Sequence, residues 1–418
     1  MARFATAFAF GIWLALCCCA DAQITTTSAS SGDGPVAPHV SESALLPAFT
    51  LPFSIVAADF NGDGALDLAV AVTFVNGAPP HPGFAAVILQ NPLAPGKFLR
   101  AVHYATGTDP VAIATADLNG DGLPDLVVAN NTSANISILL QDPANPGQFI
   151  HAKNRFTGGN PSGVAIGDLN GDGLPDIAVA TGLNGVSILI QDPAGPSGTF
   201  LPPARVPVRG GSTAVAIGDL NGDGMADLAI TAARIAVRLQ DPHSPGSFLP
   251  ERDFIAGLQP LAIKIADLNG DGLPDLAVAN LGSPTKPFTA SASVLRQNPA
   301  QAGSFLKRLN YGTGPRSQGV AVGDLNGDGR MDLVVANGGT LSNHGSVSVL
   351  LQKPLVSFKP AFSRINYARK SGPLGVAIGD LNRDGKPDIA VADGNAATIM
   401  FQNPTKPGKF FASVAVGG

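Results

Sequence analysis

Beyond residue 19 the chain contains no cysteine; Cys17, Cys18 and Cys19 are its whole supply. Disulfides and thiol catalysis are therefore excluded from everything that follows them. The single tryptophan, Trp13, lies in the same stretch. Glutamate occurs only at Glu42 and Glu251. Charged residues make up 14% of the chain, and no cluster of Lys and Arg lies beside aromatic residues, which argues against a nucleic-acid partner. His39, His81, His103, His151, His243 and His344 are scattered and read as surface residues rather than catalysts. There is no His-Glu-x-x-His, no Gly-x-Ser-x-Gly and no phosphate-binding Gly-x-x-x-x-Gly-Lys. What is abundant is glycine (50), proline (35) and short apolar runs, a composition that suits many short strands joined by tight turns.

The N-terminus reads as a secretory signal over residues 1–22. Arg3 supplies its positive end, Ala7 to Cys19 an apolar core too short for a membrane span, and Ala20-Asp21-Ala22 a small-x-small cleavage site before Gln23. Residues 23–44 are rich in Ser, Thr, Gly and Pro and read as a linker. No later run approaches membrane-spanning length, so the expected protein is secreted, or periplasmic in a bacterium. A lipid anchor through Cys17 to Cys19 is the weaker alternative, because no small residue precedes a suitable Cys.

One pattern dominates the rest. Asp168-Leu169-Asn170-Gly171-Asp172-Gly173-Leu174-Pro175-Asp176 places carboxylates at positions 1, 5 and 9, an amide at position 3 and Gly at position 6. Hard cations such as calcium take six to eight oxygen ligands. Oxygens at alternating positions of a tight loop can all turn inward, and Gly permits the positive φ of the sharp turn. Position 7 lends only its carbonyl, so its side chain is free to vary, as Ala65, Leu123, Met225, Arg330 and Lys386 do. An EF-hand is excluded, because position 12 is apolar or small (Val70, Val128) and the flanks are β-branched.

The pattern occurs seven times, so the predicted calcium ligands are Asp59, Asn61, Asp63 and Asp67; Asp117, Asn119, Asp121 and Asp125; Asp168, Asn170, Asp172 and Asp176; Asp219, Asn221, Asp223 and Asp227; Asp267, Asn269, Asp271 and Asp275; Asp324, Asn326, Asp328 and Asp332; and Asp380, Asn382, Asp384 and Asp388. Up to seven Ca²⁺ ions are expected. These loops hold 21 of the 31 acidic residues, so the formal charge of −5 belongs to the metal sites.

The loops recur at intervals of 48 to 58 residues, and a period of that size means a solenoid, propeller or array. Each period repeats the same parts. In the second copy these are strand A (Val111 to Ala114), the metal loop, strand B (Leu126 to Ala129) and strand C (Ile136 to Gln141). A Gln-Asp-Pro turn follows, and Gly147-Gln148-Phe149 opens strand D. The turn glutamine recurs at Gln90, Gln141, Gln191, Gln240, Gln297, Gln352 and Gln402. The phenylalanine recurs at Phe98, Phe149, Phe200, Phe248, Phe305, Phe358 and Phe410, and is expected to pack between neighbouring units. Four short antiparallel strands per unit form a propeller blade, and seven units can close a ring. The expectation is an all-β, seven-bladed β-propeller over residues 45–418, with one calcium loop between strands A and B of each blade. Either residues 45–53 pair with the last blade and close the ring, or Phe410 to Val416 complete that blade alone.

These units resemble FG-GAP/VCBS-type repeats, the family that includes the integrin α-subunit propeller. The resemblance covers about residues 45–418. It implies that the four ligand positions of each loop bind metal; integrin propellers hold fewer metal loops than blades, whereas every blade here has one. The seventh copy departs in carrying Arg383 where the others have Gly.

The function expected is non-catalytic recognition or adhesion, with a protein or glycan ligand at the cell surface and the chain acting as a monomer. A purely structural module of a surface assembly, and a propeller enzyme such as a polysaccharide lyase or phospholipase-like hydrolase, stay open. The long B–C links of the first, fifth and sixth blades (Thr73 to Phe84, Leu281 to Ser291, Asn337 to Gly345) mark a candidate binding face opposite the metal loops. Its candidate residues are Phe74, His81, Phe84, Lys286, Phe288 and His344, with Tyr104, Tyr311 and Tyr367 from the D strands of the same blades. Phe156 and Phe254 hold comparable places in other blades, so the tyrosines also read as strand-end variants.

Overall fold

The computed structural model describes residues 46–47, 50–75, 81–283, 289–340, 344–354, 360–369, 371–394 and 396–416. The expected signal and linker lie outside these residues. Among these residues all regular elements are β-strands, and all but one two-stranded hairpin group into seven four-stranded antiparallel sheets.

Blade 1 is Thr50–Ala58, Asp67–Phe74, Pro82–Ile88 and Val102–Thr108. Blade 2 is Pro110–Ala116, Asp125–Asn130, Asn135–Leu139 and Lys153–Phe156. Blade 3 is Gly163–Gly167, Asp176–Ala180, Val186–Leu189 and Ala204–Val206. Blade 4 is Ala214–Gly218, Asp227–Thr231, Ile235–Arg238 and Arg252–Phe254, with a small hairpin, Gln240–Asp241 and Ser244–Phe248, in its C–D turn. Blade 5 is Pro260–Ala266, Asp275–Asn280, Ser291–Leu295 and Leu309–Gly312. Blade 6 is Ser317–Gly323, Asp332–Asn337, Ser346–Gln352 and Phe362–Ala368. Blade 7 is Pro373–Gly379, Asp388–Asp393, Ala396–Met400 and Val414–Val416.

The innermost strands touch in sequence, and that of blade 1 also packs on that of blade 7, so the ring is closed. Closure borrows no strand. Val414–Val416 pairs with strand C of its own blade, and Thr50–Ala58 is the inner strand of blade 1. The seam is instead apolar: Leu46, ahead of the first blade, and Ile55, Val70 and Phe84 within it bury against Leu381, Ala390, Ile399 and Val416 of the last.

Strand B is buried along its length in blades 2 to 7, as in Asp125–Asn130, and up to Phe74 in blade 1, because neighbouring blades cover both faces. Inner strands come closest at small residues. A Cβ on Gly163 would stand 2.9 Å from Ala214 Cα, and one on Gly375 would stand 2.9 Å from Phe53 O. Strand D begins later than the sequence predicts. Phe149 makes one isolated bridge to Gln141, and the regular strand starts at Lys153. The ring of Phe149 is drawn into the core between blades 1 and 2, beside Phe60, which takes the chain out of strand register there.

Candidate metal centres

The antiparallel order A-B-C-D places every A–B loop and C–D turn on one face of the ring and every B–C and D–A link on the other. The third loop shows the common geometry. Asp168 Oδ1 accepts from the N–H groups of Gly171 (2.6 Å) and Asp172 (3.2 Å), and its Oδ2 accepts from Gly173 (2.8 Å). Asn170 Oδ1 accepts from Asp172 N–H (3.0 Å), and Asp172 Oδ1 accepts from Leu174 N–H (2.8 Å). Gly171 and Gly173 both hold positive φ, 78° and 82°, which turns these N–H groups inward. In the seventh loop Arg383 takes the same left-handed conformation, at φ 58°.

Position 9 differs from the other three. Asp176 opens strand B and is fully buried. Its Oδ2 accepts from Leu169 N–H (2.9 Å) and its Oδ1 from Gln191 N–H (2.7 Å). Asp67, Asp125, Asp227, Asp275, Asp332 and Asp388 make the same two bonds in their blades. Burial pushes Asp67, Asp125, Asp176, Asp227 and Asp332 up to about 6, and Asp275 and Asp388 up to about 7. The two backbone N–H groups oppose that rise, and the carboxylates at positions 5 and 1 add to it.

The turn glutamine is the part that sequence reading passed over as a turn marker. All seven are buried. Gln191 Nε2 donates to Pro175 O (3.1 Å) in its own loop and to Leu118 O (2.9 Å) in the loop of blade 2. Gln297 reaches Leu220 O (2.8 Å), Gln352 reaches Leu268 O (2.6 Å), and Gln90 crosses the seam to Leu381 O (3.0 Å). The amide thus ties each of these loops to the loop of the preceding blade. The apolar residue at position 2, such as Leu118, is itself a plug in the core beside the next blade's Phe200. The only signal in the sequence was the recurrence of a polar residue ahead of each turn.

All the donors offered to a cation are oxygens, and those that accept a single N–H, such as Asp168 Oδ2 and Asp172 Oδ1, keep lone-pair capacity for a metal. In blades 2 to 5 no Lys or Arg forms an ion pair with the loop carboxylates among the described residues. The donor chemistry therefore fits a hard divalent cation. As folded here, no three His, Cys, Asp or Glu side chains among the described residues converge on one point. Two loops meet an arginine: Arg330 pairs with Asp328 (2.5 Å), and Arg383 reaches across the seam to Asp63 Oδ1 (2.7 Å).

Of the residues expected on the opposite face, those described do not gather in one place. Lys286 and Phe288 lie outside the described residues, as does Phe358. Phe84 is buried and makes tilted ring contacts with Phe74 (5.1 Å between ring centroids) and His103 (4.4 Å), at the seam. His81 is also buried, whereas His344 is exposed. The three tyrosines turn onto the next blade. Tyr104 meets Phe149 edge-on (5.4 Å), Tyr311 meets Phe362 (4.9 Å) and Tyr367 meets Phe410 (6.0 Å). Tyr311 donates to Pro360 O, and Tyr367 Oη accepts from Phe410 N–H (3.0 Å). Phe254 repeats the ring contact with Phe305 (5.3 Å), so the position joins blades whether or not it carries a hydroxyl.

Comparison with known proteins agrees with this architecture. A family model described as an FG-GAP-like repeat matches residues 117–179, 168–230 and 267–335. Mouse integrin alpha-3 is 31% identical over 143 residues, which is 30% of this chain and 13% of that protein. Integrin alpha-3 of Cricetulus griseus is 32% identical over 133 residues, 28% of this chain and 12% of that one. The chain therefore spans only a small part of the curated relatives it matches. Among solved structures, a chain from the complex of BBS1N with ARL6DN superposes with a TM-score of 0.55 at 14% identity, covering 88% of this chain and 96% of that one. A proposed 6-phosphogluconolactonase from Bacteroides uniformis gives 0.54 at 13% identity, with the same coverage. At such identities these two show the fold alone. The chain is a seven-bladed β-propeller that carries FG-GAP-like repeats and is similar over part of its length to integrin alpha-3.

Proposed function

We propose that this chain is a secreted or cell-surface calcium-binding propeller that recognises a protein or glycan ligand without catalysing a reaction on it. The observation that carries the reading is the sevenfold repetition of one loop geometry with an all-oxygen donor set. Three carboxylates per loop repel one another, and Ca²⁺ supplies the charge that offsets them. The side chains at positions 1, 3, 5 and 9 of each loop would hold it. Binding to the folded state alone stabilises that state by mass action. Residues 1–22 act as the signal and residues 23–44 as a linker in this reading, and the chain works as a monomer. The similarity to integrin alpha-3 favours the adhesion class, and among the described residues no helix is long and apolar enough to cross a membrane.

The test is a screen of the protein against arrayed glycans and surface proteins, with millimolar Ca²⁺ or EDTA, alongside thermal melts in both. Saturable binding without turnover, and a melting temperature that EDTA lowers, are the expected results. A melt indifferent to EDTA removes the calcium part of the reading. Turnover of a polysaccharide or phospholipid, abolished by one substitution outside the loops, replaces it with an enzyme.

A further inference from the structure

Blades 4 and 5 leave a cleft of about 610 Å³ between them, on the face opposite the metal loops. Arg234 enters it from the B–C turn of blade 4, Ile255 and Leu258 from the link between the blades, and Ser291, Arg308 and Asn310 from blade 5. Among the described residues no carboxylate lines it. Arg308 Nε is shut off from solvent and has no hydrogen-bond partner. Among the described residues, neither Arg234 nor Arg308 makes a side-chain hydrogen bond or an ion pair. Neighbouring arginines are engaged: Arg238 donates to Leu249 O (3.0 Å), Arg252 to Ala302 O (3.3 Å) and Arg364 to Thr313 O (3.2 Å). Two guanidinium groups without a counter-ion therefore share one concavity.

Asn310 adds an oriented donor. Gly257 N–H (3.1 Å) and Asn280 Nδ2 (2.9 Å) both donate to Ser293 Oγ, so the serine proton goes to Asn310 Oδ1 (2.7 Å). The Asn310 amide N–H₂ is then left for a ligand. Ile255 and Leu258, each 55% exposed, supply an aliphatic sill beside these donors.

We propose that this cleft binds an acidic side chain, with an adjacent aliphatic residue, from a partner polypeptide; the proposal rests on reading the propeller as a recognition module. Guanidinium forks match a carboxylate bidentately, and they count most where water is partly excluded. The sill selects the polypeptide over an acidic sugar. Among the described residues no aromatic ring lines the cleft to take a sugar face, and a uronate would set its hydroxyls against Ile255 and Leu258, where they lose hydrogen bonds to water.

The experiment uses the full chain and a fluorescent peptide of alternating Asp and Leu, read by anisotropy at low and high salt. Arg234→Ala and Arg308→Ala are each expected to weaken binding about tenfold. Arg155→Ala, which removes an exposed charge from strand D of blade 2, is expected to leave affinity unchanged. Replacing Leu by Ser in the peptide is expected to weaken it, and Arg234→Glu to shift preference toward a Lys/Leu peptide. Melting temperatures should hold in these variants, since neither arginine carries a bond. The proposal is overturned if the Asp/Leu peptide does not bind, if binding ignores both arginines, or if an oligogalacturonate binds more tightly through the same two residues. A silent cleft on a chain that still captures a surface ligand defeats this inference alone; a chain that binds nothing and turns over a substrate defeats the recognition reading as well.

Discussion

Asp168 and Asp176 are both predicted ligands of one ion, yet the fold uses them differently, and alanine substitution separates the two uses. Asp176 is fully buried and is the acceptor for two buried N–H groups, Leu169 (2.9 Å) and Gln191 (2.7 Å). Asp176→Ala strands both donors. At about 1–3 kcal/mol for each buried group left unsatisfied, the loss is about 2–6 kcal/mol, even with no calcium present. Gln191 would also lose the anchor that holds its side chain on Leu118 O, so the damage should extend to blade 2. Asp168 instead accepts from Gly171, Asp172 and Gly173, whose N–H groups are exposed, and water replaces that carboxylate. Asp168→Ala in EDTA should therefore cost less than Asp176→Ala, because it strands no fully buried donor. In millimolar Ca²⁺ both variants should bind one ion fewer than the parent chain by native mass spectrometry. Urea unfolding in EDTA, followed by circular dichroism, reads the difference. Equal midpoints for the two variants in EDTA would refute the view that position 9 is a structural pin as well as a ligand.

Three further outcomes are expected. Gly375→Ala places a Cβ 2.9 Å from Phe53 O at the seam between the last and first blades, so it should lower stability by about 1–3 kcal/mol in urea, whereas Ala214 shows that the same repeat position tolerates a methyl elsewhere. Arg369 and Asp393 form a buried pair at 3.2 Å, each side chain 6% exposed; burial pushes the Asp393 carboxyl up, and Arg369 and the Ser371 hydroxyl oppose that. Arg369→Leu should cost about 3–5 kcal/mol by leaving Asp393 unpaired, and Arg369→Leu with Asp393→Leu should recover most of it; a double variant as unstable as the single one would refute the pairing argument. Arg383→Gly removes both a left-handed non-glycine residue and an exposed ion pair to Asp63, so without calcium its melting point should stay level or rise. With calcium, isothermal titration should show tighter binding in the first loop, because Asp63 no longer has a competing cation.

The sequence by itself determined the repeat, the strand order within a blade and the number of blades. These are local properties. A loop such as Asp168 to Asp176 bonds within itself, and the apolar runs on either side of it pair with each other across one turn. Periodicity then carries one local solution around the ring. The structure decided whatever depends on which unit stands next to which. The strand Val414–Val416 completes its own blade, and the ring closes by apolar packing. Gln90 finds Leu381, and Arg383 finds Asp63, across 291 and 320 residues of chain. Tyr104, Tyr311 and Tyr367 were candidates for a ligand face by their place in the D strands, but a D strand in isolation does not show that its ring has the next blade to lean on. Arg234 and Arg308 attract no notice in a linear reading, because each is one charge in an ordinary turn or strand. Only the approach of blade 5 to blade 4 puts both in one cleft without a counter-ion. Identical repeats specify how each unit folds, but the partners of their outward side chains come from neighbouring units, and those are set when the ring closes.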